Sequence, residues 1–121
     1  MMEESNISPI RSDFEQIKKQ DESGSEYWAS RDLCVVLGYS TYQKFTRTIN
    51  KAIAIANHKG LNTAEHFNHT VEMVRLGSGS FREVENIHLS RMACLIIAEN
   101  ADDKKPQVQM AREYFRQELP I

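Results

Sequence analysis

Neither a membrane span nor a disulfide framework can be found in this chain. No apolar run approaches the roughly 18 residues that a spanning helix needs. The apolar run at residues 93–98 suits a core helix. The first residues are acidic and polar, unlike a signal peptide, so the expectation is a cytoplasmic protein that does not engage a membrane. Cysteine is scarce. Cys34 and Cys94 are far apart, without CxxC spacing, and each falls in an apolar helical pattern. Buried free thiols are expected, not a metal site or a disulfide. Histidine is nearly as rare. His66 and His69 lack the i, i+4 spacing of a zinc helix and have no cysteine nearby, and no Cys/His pair with His58 or His88 stands out.

Catalytic motifs are missing too. There is no Gly-x-Ser-x-Gly elbow and no GxGxxG after a strand. The run Gly77-Ser78-Gly79-Ser80 lacks the Gly-Lys-Ser/Thr ending of a phosphate-cradling loop. Asp102 and Asp103 fall in a polar helix break. The residues therefore suggest no enzyme, no cofactor and no metal. At 121 residues, with 40% hydrophobic and 26% charged, the chain has the make-up of one ordinary globular domain.

A net charge of −2 argues against a basic nucleic-acid binder, unless the charge is segregated. It is. Residues 1–32 carry −4, while residues 33–64 hold no Asp or Glu and carry +4 from Lys44, Arg47, Lys51 and Lys59. Screening confines each charge to about 8–10 Å, so a local excess can attract a polyanion despite an acidic total.

The pattern predicts a flexible leader over residues 1–11 and a single domain over residues 12–121, the N-terminal part of a longer protein. Ser12 with Glu15 predicts a capped first helix carrying Phe14 and Ile17 on one face. The polar run 18–26 reads as a loop, and Tyr27-Trp28 as a short extended segment that pins it to the core. Ser30 should cap a short helix closed by Gly38, and Ser40 with Gln43 should cap a long one ending near His58. Asn62 and Glu65 mark a further helical turn. The runs 70–76 and 81–89 around the Gly/Ser tetrapeptide read as a hairpin, although Glu83 and Glu85 interrupt the second strand's alternation. Ser90 should cap an apolar helix, and Pro106 should open the last one.

In the long helix, Tyr42, Phe45, Ile49, Ala52, Ile53 and Ala56 share one face. Lys44, Arg47 and Lys51 fall within about 60° of arc on nearly the opposite side. No carboxylate lies three or four residues away to neutralise them. A short helix, a glycine turn and a basic second helix, followed by a hairpin, predict an α+β, predominantly helical fold. The expected arrangement is a winged-helix-like helix-turn-helix core with a small β-hairpin. Lys44, Arg47 and Lys51 would bind phosphates, Gln43 and Arg47 could reach base edges, and Arg75, Ser78 and Arg82 would add hairpin contacts.

Two ordered motifs carry a family likeness. They are Tyr27-Trp28-Ala29-Ser30-Arg31-Asp32-Leu33 through Leu37-Gly38-Tyr39-Ser40, and Leu76-Gly77-Ser78-Gly79 through Ile87-His88-Leu89-Ser90-Arg91-Met92-Ala93-Cys94. With Asn100-Ala101-Asp102 following, they resemble the N-terminal region of the bacterial DNA-damage-inducible protein D (DinD) family. More distantly they are similar to the Bro-N domain of phage antirepressors. The resemblance implies a part in the DNA-damage (SOS) response, with DNA and a RecA-type recombinase filament as partners, and names no catalytic residues. The rival expectation is a protein-interaction module that docks on such a filament, or on a repressor, without binding DNA.

Overall fold

Local capping chemistry sets most element boundaries in the computed structural model, which describes residues 9–117, with side chains from Asp13 onward. The leader therefore falls mostly outside the described residues. Helix α1 spans Pro9–Ile17. Ser12 lies inside it and cannot be its N-cap, whereas Phe14 is fully buried and Ile17 packs beside the core as expected. Strand β1, Lys18–Gln20, occupies what the sequence presented as loop. Its polar residues disguised it, because it is an exposed edge that pairs with β2, Glu26–Ala29.

Helix α2, Ser30–Val36, has Ala29 at its N-cap and no side-chain cap, because the Ser30 hydroxyl is engaged across the sheet. Gly38 (φ +81°) closes α2: its N–H bonds to the Val35 carbonyl, and that of Tyr39 to the Cys34 carbonyl. These two bonds satisfy carbonyls that the helix end would leave orphaned. Helix α3, Tyr42–His58, starts one residue later than expected, with Thr41 and not Ser40 accepting from the Lys44 N–H. Gly60 closes it with the same pair of bonds. Asn62 caps the single turn α4, Thr63–His66.

Strands β3, Phe67–Arg75, and β4, Phe81–Leu89, complete an antiparallel sheet of order β1-β2-β4-β3. Ser90 caps α5, Arg91–Glu99, and Pro106 opens α6, Pro106–Arg116, both as the sequence indicated. The core gathers around α5, which is buried over nearly its whole surface. Trp28 is fully buried, with its ring edge-on to Phe115 at 4.9 Å and its indole N–H donating to the Phe14 carbonyl at 2.9 Å. That bond satisfies the one polar atom of an otherwise apolar anchor.

The α+β class holds, but the winged-helix-like, helix-turn-helix core does not. Helices α2 and α3 answer to different neighbours: α2 packs mainly on α1 and β4, whereas α3 lays Phe45, Ile49, Ala52 and Ala56 inward and packs mainly on α5. The hairpin is not a small wing either. Nine rungs join β3 to β4, and only Leu89 and His88 of β4 also pair with β2. The outer part, beyond Asn86, is a two-stranded arm. This explains the interrupted alternation. Glu85 and Glu83 pair with Val71 and Met73 on a face that is covered at Phe67, Ile87 and Leu89 but exposed farther out.

Candidate nucleic-acid interface

Helix α3 positions the three clustered cations. Its inward face is fixed by four buried side chains, so Lys44, Arg47 and Lys51 must point outward, and each is exposed. Among the described residues, none has a carboxylate within 4 Å. Exposed cations elsewhere vary: Lys19 pairs with Asp32 and Arg116 with Glu99, whereas Lys59, Arg75, Arg82 and Lys104 likewise have no carboxylate within 4 Å among the described residues. Gln43 is exposed on the first turn of the same helix. The arrangement can neutralise two or three phosphates along one strand and supplies no nucleophile, acid or base.

The hairpin candidates belong to other elements, the arm formed by β3 and β4. Helix α3 shares no substantial packing with β3 or β4. Arg75 pairs with Phe81 and Arg82 with Val74, on successive rungs. The two arginines therefore point to opposite sides of the arm, not toward one another. Ser78 sits in the turn, its hydroxyl 2.8 Å from that of Ser80.

A polar network that sequence reasoning missed connects the start of α3 to the arm. The Ser30 hydroxyl donates to Asn86 Oδ1 at 2.9 Å and accepts from the Ile87 N–H at 3.1 Å. With its one proton committed, it must receive that of Tyr42, 2.7 Å away. Arg31 stacks its guanidinium 4.1 Å from the Tyr42 ring centre and donates Nε–H to the Glu85 carbonyl at 2.7 Å. These side chains satisfy the edge of β4 where β2 ends. A serine beside an expected cap position gave no sign of a partner 56 residues away.

Elsewhere, a depression of about 560 Å³ is lined by Asp21, Glu26, Tyr27, Glu65, His66 and His88, among others, and by no residue of α3. Its carboxylates disfavour a polyanion. His66 Nδ1 lies 2.7 Å from the hydroxyl of Ser90, which already caps α5. Cys34 and Cys94 are buried and unpaired, and burial raises both thiols above their ordinary range. Among the described residues no three His, Cys, Asp or Glu side chains are grouped to hold a metal, and no helix is long and apolar enough to cross a membrane.

The fold and this face define an α+β domain with a cationic helix and a projecting arm. No family model matches the chain, and no solved structure matches it. It is 36% identical, over 111 residues and 88% of its length, to DNA damage-inducible protein D of Escherichia coli (strain K12). The chain belongs to the DNA damage-inducible protein D family. It spans 40% of the length of that relative.

Proposed function

We propose that this domain acts in the response to DNA damage and does so by binding DNA through the exposed face of α3. The observation that carries this reading is the set of unpaired cations Lys44, Arg47 and Lys51, held outward by the buried opposite face. The relative's name, DNA damage-inducible protein D, supports the biological setting. The cations grip phosphates, Lys44 and Lys51 as point charges and Arg47 through its forked guanidinium. Gln43 and Arg47, toward the N-terminal end of α3, are the side chains offered to base edges. On the arm, Arg82 and Arg75 face opposite ways, so one of them at most shares the phosphate track with α3.

Fluorescence anisotropy with labelled duplex and single-stranded oligonucleotides tests the reading. Wild-type protein should bind at low salt, and the double variant K44E/R47E should not, with its circular dichroism unchanged. Failure of the wild-type protein to bind either form would refute DNA binding. Capture of the same protein by a recombinase filament through these cations would then favour the docking module.

A further inference from the structure

The two edges of the sheet are built differently. On one side, β1 is three residues long with the sequence Lys-Lys-Gln, the short charged edge that discourages pairing with another chain. On the other, β3 is nine residues long and contains no proline, lysine or bulge in its register with β4. Its outer half carries exposed Val71 and Met73, 62% and 60% accessible, with Phe81 of β4 on the same face at 59%.

The hydrogen-bond phase of that edge follows from the turn. The Leu76 N–H bonds to the Ser80 carbonyl at 2.7 Å, so Leu76 points its backbone groups into the hairpin. Alternation then turns Val74, Glu72 and Thr70 inward, and Met73, Val71 and His69 outward. The far edge of β4 agrees, because the Glu85 carbonyl and the Ile87 N–H face away from β3 and are met by Arg31 and Ser30. Side chains of α2 thus cap the exposed edge of β4. The corresponding groups of His69, Val71 and Met73 on β3 meet no partner among the described residues.

We propose that the outer edge of β3 pairs antiparallel with β3 of a second copy of this chain, about a twofold axis at Val71. In that register Val71 faces itself, His69 faces Met73 of the second copy, and Thr70 faces Glu72 of the second copy. No like charges stand directly opposite, and each Glu72 meets a hydroxyl. A register centred on Glu72 would set that carboxylate against its own copy, which is unfavourable across a strand pair. Val71 also presents its N–H and C=O outward, so the axis falls on a mutually hydrogen-bonded pair. Two apolar arm faces join into one continuous strip of Val71 and Met73 from both copies. The self-complementary pattern selects a second copy over an unrelated strand. It stands apart from the DNA reading, because it uses no residue of α3.

Sedimentation equilibrium tests the pairing. The wild-type chain should dimerise reversibly, and Val71→Lys should be monomeric with an unchanged circular dichroism spectrum. Val71→Pro, which removes an outward N–H at an edge position where proline is tolerated, should behave likewise. The register has its own test. Thr70→Cys and Glu72→Cys proteins, mixed and mildly oxidised, should form the mixed disulfide, whereas either alone should not, its two cysteines lying too far apart diagonally. A wild-type chain that stays monomeric up to millimolar concentration overturns the proposal. So does a dimer that Val71→Lys leaves intact, or one that cross-links equally well in each single variant.

Discussion

Arg91 and Glu26 form a two-pronged ion pair at the foot of α5, with Nε 2.7 Å from Oε2 and Nη2 3.2 Å from Oε1. The Arg91 side chain is only 8% exposed, and its remaining donors reach the carbonyls of Tyr114 and Gln117 at 3.2 Å. Burial alone would lower its pKa. The hydrogen bond and charge of Glu26 outweigh that effect, and the pKa is raised. One residue thus ties β2, the start of α5 and the end of α6 together. Arg91→Met should destabilise the domain by about 2–4 kcal/mol in urea unfolding, because it strands a half-buried carboxylate and two carbonyls. Glu26→Gln keeps the shape and should cost about 1 kcal/mol.

Ser30 is expected to matter more than its size suggests. Ser30→Ala removes a fully buried hydroxyl and leaves Tyr42 and Asn86 each short of a partner. The loss should be about 1–3 kcal/mol. Tyr42→Phe should cost less, and the double variant less than the sum of the singles, since both act on one hydrogen bond. Additive losses in a thermal-melt cycle would show that the two residues are not coupled.

Glycine substitutions separate backbone strain from crowding. Gly24 and Gly38 both have positive φ, but a Cβ at Gly24 meets nothing within 4 Å. At Gly38 it would come 2.9 Å from Nε2 of Gln107, and the Gly38 carbonyl accepts from Lys105. Gly24→Ala should cost about 1 kcal/mol for the left-handed backbone alone. Gly38→Ala should cost slightly more, as the end of the flexible Gln107 side chain must also swing aside. Equal melting-temperature losses would remove the crowding contribution.

The acid limb of stability should depend on Glu15. The Tyr114 hydroxyl bonds to it and lowers its pKa below the ordinary 4.5, with Lys18 adding to the effect. Because the folded value lies below the unfolded one, the contribution is complete above about pH 4.5. It is lost as pH falls through the lower folded value. Tyr114→Phe should flatten the fall in stability between pH 5 and pH 3, as followed by urea midpoints. A parallel acid limb in the variant would assign the dependence to other carboxylates.

Features written in local chemistry were legible before the structure. Asn62, Ser90, Pro106 and Gly38 each mark a boundary through local backbone or side-chain chemistry within a few residues. What depends on distant partners was not. Lys18–Gln20 is a strand only because Glu26–Trp28 returns beside it, and Ser30 serves Asn86 and not its own helix. The helix-turn-helix expectation failed for the same reason: spacing shows that two helices follow one another, not which surfaces they pack against. The cationic stripe was readable because the 3.6-residue period that buries Phe45 and Ile49 also exposes Lys44 and Arg47. That the hairpin arginines point apart required the register.

The salt dependence of affinity shows whether α3 binds DNA through its phosphates. Three phosphate contacts should give a slope of log K against log salt of about −2.7 on duplex DNA, at roughly −0.9 per contact. Changing Lys51 to Gln should reduce the magnitude of that slope by about 0.9. A wild-type slope near zero, or one that K44E/R47E leaves unchanged, would contradict binding through this face.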